Sequence, residues 1–258
     1  SAFDLLRWVS FKYGFGTYIH YIKGKLTPET LNESKEGLDR LIHLAAGSKN
    51  RVYLDTIISP SYTSAIAQVV QLSGISGKGN NMILFEYSRT NLNTFKHVIQ
   101  EYALLQATGF DICILNTSYK GFGYKKEIHI WIEPEDYENA NLMILLAYII
   151  LGHPDWRRGL IKIFALYPRK DIETEKEQLL ELIKSGRLPI SPSNIELLSY
   201  DELSLGQELI SDYSADADLT ILGFQNHHIS EDESKLFIDY KDVGNILFVN
   251  SNQKKEIK

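Results

Sequence analysis

Residues Glu127–Phe164 read EIHIWIEPEDYENANLMILLAYIILGHPDWRRGLIKIF, and the order of features in this stretch decides the fold. An alternating segment, Ile128–Glu133, is followed by an acidic turn, a wholly apolar run, a loop carrying Trp156 and a second β-rich segment, Leu160–Tyr167. Parallel strands need a crossover of about a dozen residues or more, and the Leu-rich run supplies a helix of that length. That run, Leu142–Gly152, is far short of the roughly 20 residues needed to cross a bilayer, so it is read as a buried helix.

Working outward, short β-rich runs alternate with helical patterns along the whole chain. The expected strands are Thr17–Lys23, Arg51–Ser59, Asn81–Ser88, Asp111–Thr117, Ile128–Glu133, Leu160–Tyr167, Ile195–Ser199, Asp218–Phe224 and Asn245–Asn250. Runs such as ILFEY and LTILGF are continuously apolar, as strands buried on both faces are. Between them, helices are expected at Leu31–Ala46, Tyr62–Leu72, Asn91–Thr108, Ile172–Lys184 and Leu203–Asp212, with another running through Tyr240 from a capping box at Ser230 and Glu233. In the first of these, Leu31, Leu38, Leu41, Ile42 and Ala45 form one stripe. Gly47, Gly74, Gly109 and Gly186 sit where helices should stop.

The fold class is therefore α/β: two consecutive β-α halves, a mostly parallel sheet and helices on both faces. The halves are 1–126, with a lead-in helix at 1–13, and 127–258; they are expected to form one unit. Ser118–Lys126, SYKGFGYKK, joins them as an aperiodic loop. The chain starts Ser-Ala-Phe and goes at once into an apolar pattern, as a domain excised from a longer protein would.

Composition narrows the function. The 258 residues are 44% apolar with a net charge of -6, and the isoelectric point is near 5.7. No concentrated basic face exists for nucleic acid; Arg157-Arg158 and Lys254-Lys255 are the densest clusters. Cys113, the single cysteine, sits in an apolar run and is read as a buried small hydrophobe, which fits a reducing compartment.

Few motifs carry chemistry. Gly74-Ile-Ser-Gly77-Lys-Gly79 follows a helix and precedes a strand, the reverse of a phosphate cradle. Gly14-Phe-Gly16 and Gly121-Phe-Gly123 lead into strands, without a helix N-terminus to hold an anion. Glu133-Pro-Glu135-Asp136 stands at a strand's carboxyl end, where three carboxylates could hold magnesium, although acidic residues there also suit a helix start. His227-His228, before Glu231, Asp232 and Glu233, lacks a defined ligand spacing. Asp216-Ala-Asp218 lies at the wrong end of its strand for catalysis. Trp156 with Arg157-Arg158 is read as a cover for the apolar helix. No nucleophile elbow or Cys/His signature occurs. No catalytic, cofactor-binding or metal-binding residue is assigned, no cofactor is expected, and the chain is not expected to be an enzyme.

Three segments then resemble the C-terminal cytosolic domain of the cation-chloride cotransporters: Ile128-His-Ile-Trp131, Asn141-Leu-Met-Ile-Leu-Leu-Ala-Tyr148, and Trp156-Arg-Arg-Gly-Leu-Ile-Lys-Ile-Phe164. Ser73-Gly-Ile-Ser-Gly77 with Asn81–Phe85, and Ser214-Ala-Asp-Ala-Asp-Leu219, are similar to further parts of that family. The chain departs from it at His129, where the family has Asp, and at Glu138-Asn-Ala140, where eukaryotic members carry Asp-Gly-Gly. The compact form looks like a prokaryotic homologue. The resemblance implies a non-catalytic regulatory and assembly domain, with a universal-stress-protein-like fold, at the cytoplasmic face of the membrane. Its implied partners are a second copy of itself and the transporter's membrane domain, and the lead-in segment Phe3–Val9 is then expected to expose apolar surface. The alternative is a stress-protein-like module that senses a nucleotide. Neither Ser118–Tyr124 nor Gln225–Ser230 supplies the G-x2-G-x9-G-[ST] spacing of nucleotide-binding stress proteins.

Overall fold

Nine β-strands lie among the described residues, and all nine expected strands are among them. The computed structural model describes residues 1–12, 14–46, 52–72, 79–184, 191–201, 203–229, 234–240 and 242–252. The expected helix stops at Gly47, Gly74 and Gly186 and the capping box at Ser230 and Glu233 lie outside them. In chain order the helices are α1 (Ala2–Ser10), α2 (Pro28–Ala45), α3 (Tyr62–Val69), α4 (Asn93–Gln100), α5 (Tyr102–Ala107), α6 (Ala140–Leu151), α7 (Ile172–Lys184) and α8 (Leu203–Tyr213). The strands are β1 (Gly16–Lys23), β2 (Val52–Ser59), β3 (Met82–Ser88), β4 (Asp111–Thr117), β5 (Glu127–Ile132), β6 (Leu160–Pro168), β7 (Ile195–Tyr200), β8 (Leu219–Gly223) and β9 (Asn245–Asn250).

Seven strands form one sheet in the order β3-β4-β9-β8-β5-β6-β7, and β1 pairs with β2 in a separate two-stranded sheet. Every pairing is parallel except β4 with β9, where Ile112 faces Asn250 and Asn116 faces Ile246. That antiparallel seam joins strands of the first half to strands of the second. The period of two along β5 sorts its side chains: Ile128, Ile130 and Ile132 enter the core under α1, α6 and α7,. Trp131 enters the core on the other face, with residues of α3, α4, α5 and α8. Helices thus cover both faces, as the continuous apolar strands require.

Several local expectations are corrected. α1 exposes less apolar surface than expected: Leu5 and Trp8 are buried while Phe3, Leu6 and Val9 are half-buried, and Trp8 meets Phe122 and Trp156 edge-on at 4.6 Å and 5.3 Å. The helix expected over Asn91–Thr108 breaks at Glu101 (φ -98°, ψ 6°), a bend that keeps Phe95, Val98, Tyr102 and Leu105 in one core. α2 begins three residues earlier than expected, because Thr27 and Thr30 form a capping box ahead of Pro28,. Before Tyr240 the described residues hold a 3-10 turn, Ser234–Phe237, in place of a long helix. The joining loop is pinned: Asp218 accepts the N–H groups of Tyr124, Lys126 and Glu127 at 2.8, 2.6 and 3.0 Å. Gly123, at φ +44°, lets the chain pass 2.1 Å from that carboxylate at the place a Cβ would occupy,.

The Ile128–Trp131 motif acquires a structural meaning. Trp131 Nε1–H donates to Ser214 Oγ at 2.9 Å, leaving the Ser214 hydroxyl proton for His129 Nδ1 at 3.1 Å. The His129 Nε2–H then faces Glu127 Oε2 at 2.9 Å, and burial holds the imidazole below its ordinary pKa. All of Ser214 is buried. Ser214→Ala strands an indole N–H and a ring nitrogen together, so it is expected to cost about 2–4 kcal/mol in urea unfolding. A loss under about 0.5 kcal/mol would show that the network carries no stability.

Candidate functional site

From β5 the chain steps outward through β6 and β7, then returns through α8 to place β8 on the other side of β5. The sheet therefore has a switch point between β5 and β8, and the carboxyl ends there are the usual ligand position in open α/β sheets. Beyond β5 lie Glu133 and a 3-10 turn, Pro134–Asp136; beyond β8 lie Phe224, Gln225 and a second turn, Asn226–His228. Between them is an open crevice of about 580 Å³, lined by Pro134, Glu135, Tyr137, Glu138, Gln225, Asn226 and His227.

Two candidate groups remote in sequence meet here. Glu135 Oε2 lies 3.4 Å from His227 Nε2 and 3.8 Å from His228 Nε2. The three side chains could together present one ligand atom each to a metal ion. The hydrogen bonding of His228 argues otherwise. Its Nδ1 accepts the Gln225 N–H at 2.9 Å, so the neutral ring keeps its proton on Nε2, the atom that would have to bind the metal,. Turning the ring over would leave the Gln225 N–H facing carbon. The trio suits a cross-tie between the ends of β5 and β8 better than a metal centre.

Glu133 and Asp136 flank the same turn without lining the crevice. Asp136 accepts the Glu133 N–H at 3.3 Å and Asn139 Nδ2 at 3.4 Å, while Glu133 accepts from the Asp136 N–H in return. Burial, with neighbouring carboxylates adding to it, pushes Glu133 up to about 8 and Asp136 up to about 7,. Asp136 sits so close to Gly223 that a Cβ there would lie 1.7 Å from its Oδ1. The protein's own carboxylate thus fills the place over the strand-end glycine. Sequence reading passed over Asn139, which donates to the Phe224 carbonyl at 3.1 Å and accepts the Ser251 N–H at 2.8 Å. Asn250 donates to the same carbonyl at 2.9 Å. A lone Asn before a helix carries no signal of such a role.

The sign of the pH effect follows from these raised values. Both carboxyls bind protons more tightly folded than unfolded, where they titrate near 4, so their contribution is complete below about pH 4 and is lost as pH rises through 7 and 8,. Glu133→Gln keeps an acceptor for Asp136 and removes one charge. It is expected to raise stability at pH 8.5 by about 1–2 kcal/mol and to leave it nearly unchanged at pH 4.5, read by urea melts at both values. Equal effects at the two pH values would mean that Glu133 ionises as a solvated group.

The remaining candidates serve the framework. Trp156 is buried under the end of α6 beside Trp8, while Arg157 and Arg158 are exposed and no part of a stack is evident. Cys113 is buried, and burial pushes its thiol far up.

The architecture is an α/β fold with a mostly parallel sheet and helices on both faces, and it is similar in fold to universal stress proteins. A putative universal stress protein from Pseudomonas aeruginosa UCBPP-PA14 is similar at 15% identity and TM-score 0.52, covering 96% of this chain and 94% of that one. A universal stress protein from Archaeoglobus fulgidus DSM 4304 is similar at 9% identity and TM-score 0.50, covering 96% and 91%. The cytoplasmic domain of a prokaryotic cation chloride cotransporter is similar at 14% identity and TM-score 0.59, covering 99% of this chain and 92% of that one. No family model matches the chain, and no curated protein is similar to it by sequence.

Proposed function

We propose that this chain is a non-catalytic regulatory and assembly domain of a cation-chloride cotransporter, lying at the cytoplasmic face of the membrane. It pairs with a second copy of itself and packs against the membrane domain of the same transporter. The observation that carries this reading is the likeness in fold to one such cytoplasmic domain over 99% of the chain. The motif letters of Ile128–Phe164 add to it. No helix among the described residues is long and apolar enough to cross a membrane, so spans would have to come from elsewhere in a longer protein.

α2 supports the pairing. Only Gly37 of its 18 residues is buried, and its apolar stripe leaves Leu31 and Ile42 at 44% and 50% exposure. A stripe of that kind is suited to a second copy. Light scattering is expected to give a dimer at about 100 μM, and Leu31→Lys with Ile42→Lys to return it to monomer. Monomer alone at every concentration would overturn the assembly reading. A gene without hydrophobic spans upstream of Ser1 would overturn the transporter reading separately.

A nucleotide-sensing role is the second reading, and the crevice disfavours it. Phosphates would meet Glu135 and Glu138 in the crevice lining, and Asp136 covers the strand-end glycine, where backbone donors and a bare glycine are needed,. Calorimetry with ATP, ADP and AMP is expected to show no binding heat.

A further inference from the structure

At the amino ends of β5 and β6 two segments remote in sequence run side by side: the joining loop before β5 and the turn after α6. The Lys126 carbonyl accepts the Leu160 N–H at 2.8 Å, and Glu127 stands opposite Leu160 across the two strands. Behind them Trp8 meets Phe122 of the loop and Trp156 of the turn, which fixes the spacing of the two segments. Lys125 and Lys126 are thereby brought into a turn neighbouring that of Arg157 and Arg158, so basic residues that the sequence scatters share one edge of the sheet.

Lys126, Arg157 and Arg158 are exposed and Lys125 is half-buried. None of the four is in an ion pair among the described residues. The acidic side chains of the same region are engaged within the protein. Glu127 accepts from Lys162 at 2.6 Å, Asp155 accepts from Arg7 and the Trp8 indole, and Asp218 takes three backbone N–H groups. A chain of net charge -6 thus presents a local positive surface. Two large side chains stand among the cations: Tyr124 is 87% exposed, with Lys126 Nζ 5.4 Å from its ring centre, and Leu160 is 45% exposed. Lys125 takes φ +57°, in the left-handed region that glycine adopts at lower cost, and Asp218 clamps the backbone on both sides of it,. A charged side chain therefore stands where folding alone favours glycine.

We propose that this edge docks on an anionic lipid surface, with the four cations among the headgroups and with Tyr124 and Leu160 at the boundary of the acyl region. Each cation held near an anionic leaflet strengthens attachment about fivefold, and the two large side chains add a part that salt does not screen. A single-stranded nucleic acid needs open ring faces for its bases and a continuous basic groove for its backbone. Here Lys126 covers one face of Tyr124, Leu160 offers no ring, and the cations sit on two short turns at a sheet end. A headgroup layer demands no register from them. The inference is independent of the transporter reading, which concerns spans elsewhere in a longer protein: vesicle binding and a search for those spans succeed or fail separately.

The test is co-sedimentation of the whole chain with vesicles of phosphatidylcholine, alone or with about 30% phosphatidylserine. Half the protein should bind at about 1 mM lipid with phosphatidylserine at low salt, and none detectably without it. Raising the salt to about 0.5 M should weaken binding about tenfold or more. Lys125→Gly with Lys126→Gln suits the left-handed backbone and should weaken binding about tenfold or more,. Arg157→Gln with Arg158→Gln should do the same from the other segment, so the proposal remains testable if one variant folds poorly. Lys96→Gln with Lys170→Gln removes as much charge at exposed positions outside both segments and should change little. Absence of binding to the phosphatidylserine vesicles would overturn the proposal. Equal losses from the patch and control variants would also do so, since only net charge would then matter. Tighter binding to a single-stranded RNA of about 20 nucleotides, lost in the patch variants, would assign the edge to nucleic acid instead.

Discussion

Trp8→Ala is expected to lower the unfolding free energy by about 3–5 kcal/mol, the range for removing a buried tryptophan. The reason lies in how α1 is held. Trp8 has no exposed surface and packs edge-on against both Phe122 of the joining loop and Trp156 at the end of α6. Its Nε1–H donates to Asp155 Oδ2 at 2.9 Å, and Arg7 donates to the same oxygen at 2.6 Å. Truncation therefore opens a cavity at a three-element junction and leaves Asp155 with one donor fewer. For a chain of this size the loss corresponds to a fall in Tm of roughly 6–20 °C. Trp8→Phe should recover part of it, because most of the area returns without the hydrogen bond. A loss under about 1 kcal/mol would mean that α1 contributes little to the folded core.

Gly223→Ala should cost about 3 kcal/mol or more, unusually much for one methyl group. A Cβ at 223 would lie 1.7 Å from Asp136 Oδ1 and 2.3 Å from Cγ, so the carboxylate has to leave. It is poorly placed to do so: Asp136 is buried and bonded to the Glu133 N–H and to Asn139. Gly223 also sits on β8 between two pairing strands, which resists a compensating backbone shift. The clash predicts its own remedy. With Asp136→Gly in place the added methyl has room, so the double variant should be more stable than the sum of the single losses by about 1–3 kcal/mol. Additive losses in urea melts would refute the claim that these two residues share one space.

The two variants probe features of different legibility. Every strand is legible within a residue or two, most plainly β4, β5, β6, β8 and β9, because strands buried on both faces have continuous apolar runs that few helices imitate at that length,. α6 was legible for the same reason, and its burial followed from having too few residues for a membrane span. The break at Glu101 was not legible, since Phe95, Val98, Tyr102 and Leu105 keep a helical spacing straight through it. The burial of Leu5 and Trp8 in α1 is not legible for a related reason. An amphipathic pattern states which face is apolar, not what will cover it.

At the candidate site the letters were visible and their meeting was not. Glu135 and the His227-His228 pair stand far apart in the sequence, and only the placement of β8 beside β5 brings them within 3.8 Å. Asn139, Gly223 and Asn250 carried no signal because their importance comes from contacts with residues far along the chain.

From its sequence alone this protein is determined to alternate β and α elements, to bury most of its strands on both faces and to carry a net charge of -6. Those properties are local or compositional, set by the period and polarity of neighbouring residues. Tertiary structure alone decided that β4 and β9 join the halves back to back, that Asp136 fills the switch point over Gly223, and that β1 stands apart from β3. Each of these depends on which distant strands become neighbours, a choice made by the packing of whole faces and invisible in any short window of sequence.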